Sequence, residues 1–164
     1  MVIAIQRLEF AHAHLHLLVN HFPILIPVIA CLVLFAGLWL KSALIKRVAF
    51  ALFMLGALMT LPASFTGDGA EHSIFFMPGI EKHRIHVHEE KADVFSTLSY
   101  LLGVLSLLAF YFNYRRHKWM LPAQWVVVVL AVVVLIFAQQ TGNTGGEIRH
   151  TEIRDSSATA PLHN

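Results

Sequence analysis

A chain of 164 residues that is 57% hydrophobic and 13% charged, with a mean hydropathy of +0.65, is too apolar for a water-soluble domain of its length. Its formal charge of +2 gives no basis for binding nucleic acid, and a single cysteine, Cys31, excludes an internal disulfide or a cysteine metal cage. The composition predicts an all-α polytopic membrane protein.

Four windows, 17–40, 48–65, 92–114 and 121–138, are apolar enough to cross a hydrocarbon core about 30 Å thick, which takes roughly 20 helical residues. Asp93, at one end, is their only charge among Asp, Glu, Lys and Arg. Lipid cannot satisfy backbone polar groups, so the spans are expected to be helices, forming a four-helix bundle over residues 1–150. Ahead of the first span, Arg7, Glu9 and several histidines interrupt any apolar run, so a cleavable signal peptide is not expected. Lys41, Lys46 and Arg47 follow the first span, and Arg115, Arg116, His117 and Lys118 follow the third, in both cases without an acid. Basic loops of this kind stay in the cytoplasm, which places both termini on the extracytoplasmic side of a bacterial inner membrane. Residues 151–164 read as a polar, flexible tail.

Ten of the eleven histidines, all but His117, fall outside the spans or at their extracytoplasmic mouths. Imidazole is the commonest metal ligand and titrates near neutral pH, so this one-sided crowd is the best clue to function. The first group is His14-Leu15-His16, then His21 about 6 Å inside the apolar boundary at 1.5 Å per residue. Burying an imidazole there demands a partner, either a metal or a backbone carbonyl freed by Pro23 or Pro27. In the second group, His86, His88 and Glu89, a helix starting near Glu81 carries His88 down the face of Phe95, Ser99 and Leu102. Glu89 and Glu90 would orient an imidazole, ligate an ion, or start the helix. The third group, Glu147-Ile148-Arg149-His150, has the Glu-x-x-His spacing of carboxylate-bridged di-metal bundles, here only once and after three glycines. His72, after Glu71, is a similar case.

The second span exits through Thr66-Gly67-Asp68-Gly69-Ala70-Glu71-His72 and the fourth through Thr141-Gly142-Asn143 and on to His150. This weak repeat suggests two helix hairpins of the same orientation, related by an axis along the membrane normal, although glycine C-caps alone would give a similar pattern.

The chain resembles a family of predicted four-helix bacterial membrane proteins of unknown function, numbered twenty-two thirty-one. The resemblance is carried by His16, Val19, His21, Phe22 and Pro23 at the start and by Gly145, Gly146 and His150 at the end. Leu17 replaces the family's proline, Asn20 separates Val19 from His21, and the gap from Gly-Gly to His is shorter. The resemblance implies the four-helix architecture and names no reaction.

Two functional classes compete. In the first, a b-type haem is held by imidazoles from different helices, with His16, His21, His88 and His150 as candidates, and passes electrons between the membrane and an extracytoplasmic cytochrome as part of a respiratory complex or homodimer. In the second, copper, zinc or iron is bound by His14, His72, His86, Glu89 and Glu147. An accessory subunit of a larger membrane assembly, its histidines making only buried hydrogen bonds, is a third expectation. No nucleophile triad or phosphate loop supports a hydrolase or kinase.

Overall fold

In the computed structural model, residues 2–74 and 79–154 are described, with the side chains of residues 2–10 and 72 outside that description. Five α-helices follow one another: α1 (Val2–Val19), α2 (Phe22–Trp39), α3 (Ala43–Ile74), α4 (Lys82–Tyr114) and α5 (Met120–Arg149), then a 3-10 turn at Thr151–Ile153. Among the described residues, four segments are long and apolar enough to cross a membrane: Ala11–Trp39, Ala43–Glu71, Lys82–Tyr114 and Met120–Arg149. The molecule is an all-α four-helix membrane bundle.

One span is broken near its N-terminal end. Pro23 has no N–H for the carbonyl of Val19, so the chain turns at Asn20 and His21 and restarts as α2. From there α2, α3, α4 and α5 run alternately down and up, each packing on the next, while α2 closes the ring against α5 and α1 lies along α3.

Ala30, Phe50, Phe53, Leu102, Val127 and Val134 form the centre of the core. Small residues let the helices approach closely, as expected where lipid offers no hydrophobic force between them. A Cβ built on Gly103 of α4 would stand 2.5 Å from Cβ of Ala57 on α3, and the hydroxyls of Ser64 and Ser96 bridge the same helix pair at 3.1 Å. Large side chains such as Leu32, Phe35, Leu58, Val104 and Val129 point outward, where a lipid surface would cover them.

The two basic turns are built alike. Ser42 N donates to Gly37 O and Lys41 N to Leu38 O, as His117 N donates to Phe112 O and Arg116 N to Asn113 O. Each is a Schellman turn, with Lys41 (φ 51°) and Arg116 (φ 48°) in the left-handed position that glycine usually fills.

At the opposite end the helices outrun the apolar windows. Helices of 30 to 33 residues, such as α3, α4 and α5, are about 45–50 Å long, against a hydrocarbon core of about 30 Å. The glycines of 67–69 and 142–146 are therefore not helix ends; they lie within α3 and α5.

Candidate functional site

The upper turns of the bundle place one histidine from each hairpin against a threonine and a glycine of its partner helix. His16 of α1 sets Nδ1 3.0 Å from the Ala63 carbonyl and 3.4 Å from Thr66 Oγ1. His88 of α4 sets Nδ1 3.1 Å from Thr144 Oγ1 and also meets the Thr141 backbone. Both rings are half-buried.

The threonines fix the tautomers. Thr66 Oγ1 donates to Pro62 O at 2.6 Å, and Thr144 Oγ1 donates to Gln140 O at 3.0 Å, so each hydroxyl proton is spent on its own helix. The Ala63 carbonyl can only accept, so Nδ1 of His16 carries the proton; with the Thr144 proton on Gln140 O, Nδ1 of His88 donates in the same way. That leaves a lone pair on Nε2 of each ring, and no hydrogen bond among the described residues engages either one. A histidine held through Nδ1–H with Nε2 open is the form that ligates a metal.

Glycine makes room for both rings. A Cβ on Gly67 would stand 3.3 Å from His16 Cε1, and one on Gly145 would stand 2.9 Å from His88 Cε1. Two imidazoles unengaged at Nε2 are donors of the type that a haem iron takes.

The same cradle therefore occurs twice, in a register the glycines alone do not suggest. Thr66-Gly67 corresponds to Thr144-Gly145, and not to Thr141-Gly142. The same step of 78 residues carries His72 onto His150, and a step of 72 carries His14-Leu15-His16 onto His86-Val87-His88. Thr66, Thr144, Gly67 and Gly145 were not among the expected ligand-holding residues. The spacing Thr-Gly-x-x-x-x-His, present twice, is the signal that finds them.

The remaining candidates lie elsewhere. His21 sits in the turn before α2 with its side chain exposed, and His14 is exposed on the outer face of α1. His150 caps α5 in extended backbone, so it does not share a helical face with Glu147. Its Nδ1 pairs with Glu152 at 2.9 Å, a carboxyl held below the usual range by its own backbone amide and then by His150. Glu147 instead binds Arg84 at 2.7 Å, and Arg84 and Arg154 both reach Glu81, tying the chain after α5 to the start of α4. Arg154 also donates to the carbonyls of Glu147 and Ile148, so the beginning of the expected flexible tail is fixed; residues 155–164 lie outside the described residues. The side chain of His72 also lies outside them.

His86 and Glu89 do gather, joined by Glu71 of α3. One ligand atom from each falls within 4.8 Å of the others, and His86 Nδ1 is 3.4 Å from Glu89 Oε2. His86 and Glu89 are exposed. Finally, His12 packs on Phe65 and over Gly69, with its Nδ1 buried and unpartnered.

No protein-family model, curated protein or solved structure matches the chain.

Proposed function

We propose that the protein is a membrane electron-transfer subunit that holds a b-type haem between His16 and His88 at the extracytoplasmic edge of the bundle. The observation that carries this reading is the doubled cradle: two imidazoles on different hairpins, each with Nδ1–H tied down and Nε2 left as a lone pair. When bound, the haem supplies one-electron cycling of its iron between the ferric and ferrous states.

The chain's own residues do the rest. Ala63 and Thr66 orient His16, and Thr144 with the Thr141 backbone orients His88, so neither ring need reorganise to donate through Nε2. Thr66 lies 19 residues beyond Arg47, about 29 Å along α3, a span close to the thickness of a hydrocarbon core, which supports a site at the boundary opposite the basic turns. A partner at the membrane surface, such as an extracytoplasmic cytochrome, would take up electrons from a group held here, and a quinol in the bilayer or a neighbouring subunit would supply them. This orientation rests on the two acid-free basic turns facing the cytoplasm.

The deciding experiment is a visible spectrum of the protein purified from its native membrane, before and after dithionite. A Soret band with sharp reduced bands is expected, lost in His16→Ala and in His88→Ala and retained in His21→Ala. A haem spectrum unaffected by both substitutions sinks the assignment of ligands, and a colourless protein sinks the haem.

A second reading rests on Glu71, His86 and Glu89, whose hard and borderline donors suit zinc, iron or copper at the rim. Stoichiometric metal in a colourless protein, abolished by His86→Ala together with Glu89→Gln, would establish it.

A further inference from the structure

The basic end of the bundle holds a cavity that the electron-transfer reading does not use. It has a volume of about 490 Å³ and is lined by Lys41, Lys46, Arg47, Asn113, Tyr114 and Arg116, with the first residues of α3 and α5 at its edge. Four cations thus face one space, and neither basic turn contains an acid. Among the described residues none of the four pairs with a carboxylate. Arg47 donates to the Ala43 carbonyl and lies 5.8 Å from the Tyr114 ring centre.

Cations beside helix C-termini favour the helix dipole, which accounts for some of this charge. It does not account for Asn113. That side chain is 3% exposed, yet both its amide oxygen and its amide nitrogen are buried without a partner. A buried, unsatisfied amide is costly, and an anion in the cationic cavity that Asn113 lines would accept from its side-chain N–H. Nor does the dipole require Lys41 and Arg116 to occupy the left-handed positions at the rim, where glycine is the unstrained residue.

The surroundings indicate what such a ligand carries. Tyr114, which lines the cavity, and Leu44 and Val48, next in the chain to the lining residues Ala43 and Arg47, are large apolar or aromatic side chains exposed at the surface. A phosphate set here therefore has apolar side chains next to it, as a headgroup with acyl chains requires. We infer that this cavity binds the phosphate of an anionic phospholipid from the leaflet at the basic end, with Lys41, Lys46, Arg47 and Arg116 around the anion and the Asn113 amide donating to it. The general chemistry is that of basic pockets between membrane helices.

The test uses the purified full-length chain in non-ionic detergent, titrated by calorimetry with short-chain phosphatidylglycerol, short-chain phosphatidylcholine and inorganic phosphate. Phosphatidylglycerol is expected to bind saturably and the other two to bind at least tenfold more weakly. Lys41→Gly and Arg116→Gly should each weaken it roughly fivefold, at about 1 kcal/mol per cation. Asn113→Leu should weaken it without any change of charge.

The same three variants should melt no lower than the parent in the absence of lipid, because each removes strain or an orphaned amide. This separates loss of binding from loss of fold, and Lys46→Gln, which touches neither turn position nor the amide, gives a further reading if one of them fails to fold. Equal binding of phosphatidylcholine, or affinity indifferent to Asn113→Leu and Arg116→Gly, overturns the site. Inorganic phosphate binding as tightly as phosphatidylglycerol overturns the lipid and leaves a free-anion site.

Discussion

At the scale of single residues, the direction in which each imidazole presents its lone pair is set by hydroxyls that look inert in the sequence. Thr66 and Thr144 act as acceptors only because their protons already go to the preceding turn. Periodicity did make His88 legible as the inward histidine, since Phe95, Ser99 and Leu102 along its face are all buried. His21 was less legible. Sequence position gives depth along the membrane normal but not the direction a side chain faces, and in the turn ahead of Pro23 its side chain faces outward. The glycines beside the two rings should separate ring contact from helix propensity. Alanine favours a helix over glycine by about 1 kcal/mol. Gly67→Ala, with its Cβ 3.3 Å from His16, is expected to leave the melting temperature unchanged or higher. Gly145→Ala, at 2.9 Å from His88, is expected to lower it and to displace the ring. Thermal melts with spectra of the two variants check both, and equal behaviour would remove the special role of the second cradle.

At the scale of elements, all four spans and both basic turns were readable, because a run of apolar residues in lipid has no alternative to a helix. How far the helices continue was not. Glycine-rich exits ordinarily mark a C-terminus, but here the intervals 67–69 and 142–146 stay helical because the rings of His12, His16 and His88 occupy the space their missing side chains leave. Packing of α3 on α4 depends on the same economy of volume lower down. Gly103→Ala would bring a Cβ within 2.5 Å of Ala57 and must push the two helices apart. A loss of about 1–3 kcal/mol is expected by analogy with overpacked cores, read as a fall in resistance to denaturation in detergent. An unchanged midpoint would show that the contact relaxes freely.

At the scale of the whole molecule, the two hairpins share a turn geometry and a histidine cradle. They differ in what surrounds them: only the second is tied at its open end by the Glu81, Arg84, Glu147 and Arg154 network. The paired short motifs were legible in the sequence, while the correspondence of the two cradles needed the contacts of His16 and His88. Orientation is testable in intact cells. In a Cys31→Ser background, Glu90→Cys is expected to react with a membrane-impermeant maleimide and Lys118→Cys only after permeabilisation, and the reverse pattern would invert the topology.

Five glycines, Gly67, Gly69, Gly142, Gly145 and Gly146, occupy the turns above the apolar layer. Relative to alanine they cost those turns roughly 4–5 kcal/mol of intrinsic helical preference. The backbone amides of these turns are therefore expected to exchange with solvent faster than those of the core turns. Whatever bridges the two imidazoles would knit its strands of helix together, so that occupancy is felt first as local ordering and only afterwards as added resistance to unfolding.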